Sequence, residues 1–135
     1  MPLLDEVAAY LQAEGLGTVG TDLFKSRLMD INTPAFCTAL FETAGIGGQR
    51  VHDVAGINLA RPGLDVLVRA ATDGYAVAEA RAVAIHAALA AVANQDLSGT
   101  RYLALDPLSP PQNVGMDAHN RVLIEIRFLV TKEPS

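Results

Sequence analysis

The chain has no tryptophan, a single cysteine, three tyrosines and four phenylalanines. One cysteine excludes an internal disulfide framework. So few aromatics, among scattered basic residues, leave no platform on which bases could stack. Lys and Arg number 10 against 15 Asp and Glu, for a net charge of −5, so the basic stripe of a dedicated nucleic-acid binder is missing. An acidic wall is still compatible with DNA that slides past without sticking. No apolar run reaches the roughly 18 residues that argue for a membrane span. The first residues, MPLLDEVAAYLQ, carry acids where a secretion signal needs a basic segment. Retention in a cytosol, or in an assembly built there, is expected.

Readable chemistry is scarce as well. The histidines His52, His86 and His119 show no HxxxH or HExxH spacing, so no metal site is expected. Cys37 lies in an apolar stretch and reads as a buried, inert thiol. Gly45-Ile46-Gly47-Gly48 lacks both the phosphate-loop and the dinucleotide patterns. Ser98-Gly99 lacks a nucleophile-elbow context. No catalytic residue, cofactor or metal is therefore assigned. An enzyme or ligand-binding domain would need the 43–63 segment as a lid, with His52, Asp53 or His119 converging on Cys37.

What is present is apolar surface. Half of the 135 residues are hydrophobic and 19% are charged, with a mean hydropathy of +0.26. The length suits one domain, 1–135, with a sizeable core. The excess of apolar residues fills that core or is covered by neighbouring subunits.

Periodicity predicts an α/β (α+β) fold: one mixed sheet of about five strands packed against two helices, in the order α-β-β-β-α-β-β. Leu3, Leu4, Val7, Ala8 and Leu11 share one face of a helix over 3–14 that ends at Gly15 and Gly17. Strands are expected at 22–29 and 35–42, joined as an antiparallel hairpin. Residues 43–63, with five Gly and one Pro, read as a long loop. A third strand covers Leu64–Ala70, and Thr72-Asp73-Gly74 offers turn and N-cap chemistry. The Ala-rich helix expected over Tyr75–Ala93 is apolar nearly all round. Ala78, Ala82, Ile85, Leu89 and Val92 form one stripe; Ala76, Ala80, Val83, Ala87 and Ala90 form another. Such a helix is covered on more than one side. A crossover to a fourth strand, Arg101–Leu105, implies that strands three and four run parallel. A Pro-stiffened loop over 106–121 leads to the strongest strand, Val122–Val130, apolar on one face through Val122, Ile124, Ile126, Phe128 and Val130.

The order of these pieces resembles the minor capsid or tail-terminator (head–tail joining) family of long-tailed bacteriophages. The resemblance rests on LQAEGLGTVGTDLF, ARPGLDVLVRA, the Tyr-led helix with AIHAALAAV, Arg101-Tyr102-Leu103, Pro110-Pro111 and Asp117-Ala118-His119-Asn120-Arg121. It spans nearly the whole chain; Leu67 and FCTALFE depart from it. It implies a structural, non-enzymatic virion protein of the tail and neck. It further implies a homohexamer ring that caps the tail tube protein and docks a head connector or stopper protein, with DNA only passing through its channel and no membrane involved. A connector stopper or tail completion protein is the alternative within the neck. Candidate contact residues, chosen for chemistry and expected exposure, are Arg50, His52, Asp53, Arg61, Asp117, His119 and Arg121.

Overall fold

Leu3, Val7, Ala8 and Leu11 fall on one side of a helix, and all four are buried. This helix, α1 (Leu3–Ala13), closes in a Schellman turn: Gly15 N donates to Gln12 O and Leu16 N to Leu11 O, with Gly15 at φ +76°. A computed structural model describes residues 3–26, 35–44, 49–50, 58–71, 74–117 and 121–133. Nine strands and a second helix follow α1: β1 (Leu23–Lys25), β2 (Cys37–Thr43), β3 (Gln49–Arg50), β4 (Asn58–Leu59), β5 (Gly63–Arg69), α2 (Tyr75–Ala90), β6 (Ala93–Leu97), β7 (Thr100–Pro107), β8 (Gln112–Met116) and β9 (Val122–Lys132).

The main sheet runs β1-β2-β5-β9-β7-β6, with β8 added beside β9; β3 and β4 pair separately. β9 is its central member. It is antiparallel to β5 along Leu123–Leu129 on one side, and on the other to β8 near its start and β7 near its end. Its alternation explains that place. Ile124, Ile126, Phe128 and Val130 are buried beneath the helices, while Glu125 and Arg127 stand on the opposite face. There Arg127 faces its cross-strand partner Asp65, Nε to Oδ1 3.7 Å.

Both helices share a core with Leu40, Val66, Val68, Leu105 and the buried face of β9. The Tyr10 hydroxyl donates to Ala88 O at 3.2 Å and ties α1 to α2. α1 also meets β1 and β2 near one edge of the sheet and β6 at the other, so the sheet curls around it.

Three expectations are corrected. β1 and β2 are parallel, not a hairpin. β1 ends at Lys25, where Ser26 turns to φ 60°; residues 27–29 of the expected first strand lie outside the described residues. The shared direction expected of β5 and β7 holds, with β9 lying between them. α2 ends at Ala90, because Ala93–Leu97 forms β6 and turns into β7 at Ser98-Gly99. Both turn residues have positive φ, which a tight two-residue hairpin requires. The 43–63 and 106–121 segments are not loops throughout: the first holds β3 and β4, the second holds β8 and the end of β7. Residues 72 and 73 lie outside the described residues; Gly74 caps α2 without a side-chain bond.

Candidate docking surfaces

α2 has two apolar stripes, and the sheet covers one of them. Ala78, Ala82, Ile85 and Leu89 are buried. Ala76, Ala80, Val83, Ala87 and Ala90 are exposed. With Val77 at 61% exposure, Val83 at 54% and Tyr75 at 42%, this is a concentration of large apolar side chains in water. The exposed ridge is flanked by two open grooves. One, of about 560 Å³, is lined by Leu16, Phe36, Ala76, Val77, Ala80 and Arg81. The other, of about 500 Å³, runs along Tyr75, Glu79, Val83 and Ala87. Arg81 is held in the first groove: its Nη1 donates to Leu16 O at 2.9 Å, and its guanidinium lies 5.1 Å from the Phe36 ring centroid.

A second apolar feature runs from the end of β7 through β8. Leu108, Val114 and Met116 are 63%, 47% and 64% exposed. A register shift between Asn113 and Gly115 bulges β8; Gly115 takes φ +119° there, and its N–H donates to Asn113 Oδ1 at 2.9 Å. Leu108 N donates to Arg127 O at 2.8 Å, which holds the start of this arm against the sheet.

The base of the arm is closed by charge. Asp117 Oδ1 accepts from Arg121 N at 3.0 Å, and Asp117 Oδ2 from Arg121 Nε at 2.8 Å. Beneath them Arg69, only 1% exposed, brings Nη1 to 4.0 Å from Asp117 Oδ2 and donates from Nε to Ala35 O at 3.0 Å. Cys37 pairs with Arg69 across β2 and β5. Burial pushes its thiol upward, with Arg69 and Arg121 pulling part of the way back. The thiol is therefore protonated at neutral pH, unlike an activated nucleophile.

Of the candidate contact residues, the structure brings Asp117 and Arg121 together, and it buries Arg121. Arg61 is half-buried before β5, and its Nε has no hydrogen-bond partner among the described residues. Arg50 lies in β3, its side chain outside the described residues, as are His52, Asp53 and His119. Sequence reasoning missed Arg69 and the trio Leu108, Val114 and Met116. Arg69 gave no signal, since it alternates with the apolar Val66, Val68 and Ala70 and so falls on the face opposite theirs. The trio had one: Pro107–Met116 is ten residues without a charge.

A buried polar cluster fixes α1. Glu6 is fully buried, and its Oε1 accepts from the Tyr102 hydroxyl at 2.8 Å, with Lys132 Nζ at 3.8 Å. Lys132 Nζ also sits 5.6 Å from the Tyr102 ring centroid. Among the described residues no three His, Cys, Asp or Glu side chains gather as a metal site, and no helix is long and apolar enough to cross a membrane.

Comparison with known proteins bears on what these surfaces serve. A chain from a structure described as the virion of a native gene transfer agent particle superposes with a TM-score of 0.68 at 21% identity, covering 98% of this chain and 95% of that one. At that identity the likeness establishes a shared fold. No curated protein matches. A family model described as bacteriophage tail terminator protein matches residues 10–134, from within α1 to beyond β9. The chain therefore belongs to the bacteriophage tail terminator family.

Proposed function

We propose that this chain forms a homohexameric ring that ends the tail tube and joins it to the head connector or stopper protein, with DNA passing through its channel. The observation that carries this reading is the exposed apolar stripe of α2 in a member of the terminator family. Burying a Val side chain fully is worth about 1.5–3 kcal/mol. Val77 and Val83, standing largely in water, therefore favour coverage by another subunit. A closed ring needs two unlike, complementary faces on each subunit, and α2 and the β8–β9 arm are two such faces. The role is structural and places the chain in the virion neck. The −5 net charge suits a channel that DNA crosses without being held.

Light scattering after size exclusion, with negative-stain imaging, tests the reading. The expected particle is a ring that binds the end of purified tail tubes and stops their growth. A particle that stays monomeric, even with tail-tube protein added, overturns it.

A further inference from the structure

Among the described residues seven large apolar side chains are exposed, and six of them fall in two groups: Tyr75, Val77 and Val83 on α2, and Leu108, Val114 and Met116 on the arm. Both groups are exposed in the same subunit, so the arm does not cover its own chain's helix. The two surfaces are unlike in shape: one is a helix flanked by grooves, the other a bulged, exposed strand on the sheet.

We infer that the arm of one copy of this chain seats in the α2 groove of the next copy, with Leu108, Val114 and Met116 against Leu16, Phe36, Ala76, Val77 and Ala80. This rests on the ring reading and names the surfaces that close the ring. Charge complementarity selects this occupant. The arm, Pro107–Met116, carries no charge, and the exposed acid Asp106 stands at its start, while Asp117 at its end is already paired with Arg121 and Arg69. The groove has a single charged side chain, and it is a cation, Arg81. An uncharged, apolar centre with opposite charges at its rim is the composition of a protein interface, in which methionine is also enriched. Repeated in one direction from copy to copy, the contact is heterologous and closes a ring, whereas a reciprocal exchange of arms would give a two-fold dimer that light scattering distinguishes by mass. The Asp117–Arg121 pair and buried Arg69 make the arm rigid at its base, which lowers the ordering cost of seating it.

Two single-surface variants and their mixture test the assignment by light scattering. Met116→Glu disables the arm and Ala80→Glu disables the groove; both positions are exposed, and each variant is checked for a wild-type melting profile. Leu108→Glu is a second, independent arm variant. Each variant alone is expected to lose the oligomer. Mixed, the intact arm of the groove variant meets the intact groove of the arm variant, and the expected product is a particle of one chain of each kind. An oligomer that survives both arm variants overturns the arm, as does a mixture that stays monomeric. Neither result touches the ring reading if wild-type chains form rings. Wild-type chains that remain monomeric with tail tubes present overturn both.

Discussion

The Tyr102 hydroxyl donates a 2.8 Å hydrogen bond to Glu6 Oε1, joining β7 to α1 inside the core. Both side chains are fully buried, and Lys132 closes the group from β9 at 3.8 Å. Removing one member leaves its partner stranded. Tyr102→Phe is expected to cost about 1–3 kcal/mol, the usual penalty for a buried group left without its bond. Glu6→Ala is expected to cost more, about 3–5 kcal/mol, since Lys132 keeps a buried charge without its acid. Replacing both ends, Glu6→Leu with Lys132→Met, should recover much of that loss. Urea unfolding of the variants provides the comparison; equal midpoints for wild type and Glu6→Ala would show that the cluster contributes nothing.

Alkaline pH acts on the same core. Burial, followed by the bond to Glu6, pushes the Tyr102 hydroxyl far above its ordinary value of 10.0. Burial likewise raises the Cys37 thiol above 9.0. Both groups are neutral when protonated, and folding favours that form. Their contribution is therefore complete below the ordinary values and declines as pH rises past about 9 for Cys37 and 10 for Tyr102. Melting temperatures across pH 7–11 should be flat at first and then fall. Cys37→Ala is expected to shallow the decline from its onset, and Tyr102→Phe to shallow it only above pH 10. Superimposable curves for all three proteins would contradict this.

Asp117 holds the arm to the sheet. Asp117→Ala leaves Arg69 and Arg121 facing each other with their shared carboxylate gone, at an expected cost of about 3–5 kcal/mol. Asp117→Asn retains an oxygen for Arg121 N and should cost less. Amide hydrogen exchange supplies the local readout. Protection in β8 should fall in the Ala variant even under conditions where β5 remains protected.

Two neighbours on α2 separate folding from assembly. Ile85 is fully buried, and Ile85→Ala is expected to destabilise the fold by about 2–5 kcal/mol. Val83, on the exposed stripe, should change stability by about 0.5 kcal/mol or less when replaced by Glu. That second variant should nonetheless remove the ring from size-exclusion profiles. A wild-type ring in Val83→Glu would mean that this flank of α2 is not covered.

Gly15 offers a backbone test. Its φ of +76° suits glycine, and a Cβ there meets nothing within 4 Å. Gly15→Ala should therefore lose only conformational energy, about 1–2 kcal/mol, in thermal melts. A larger loss would point to a steric contact.

Local rules read most of this fold. The α1 stripe, the double stripe of α2 and the alternation of β9 were all legible, because burial follows a period of 3.6 or 2 in each. The errors came where pairing is decided over distance. Nothing in Leu23–Lys25 announces a parallel partner, and nothing in β5 or β7 says that a later strand enters between them. β6 was hidden by its composition: Asn94, Gln95 and Asp96 are poor strand formers, held by pairing with β7 and the Ser98-Gly99 turn. The exposed apolar surfaces were half legible. The second stripe of α2 was readable as apolar, with a cover expected over it; within this chain it stands exposed. The arm was read as a Pro-rich loop, because its exposed apolar residues sit on a bulged strand whose partner lies beyond the turn.

The central position of β9 has a consequence for synthesis. It follows every other strand in the chain, yet β5, β7 and β8 all pair with it. Among the described strands, the two halves of the sheet pair only through this one. Until it leaves the ribosome, β5 and β7 lack their shared neighbour and the sheet-facing side of α2 lacks much of its cover. Topologies with such distant pairings fold slowly and leave apolar surface open to wrong partners meanwhile. The nascent chain is thus exposed on both sides of α2 at once, and release of β9 sets the moment at which only the side bearing Val77 and Val83 remains uncovered.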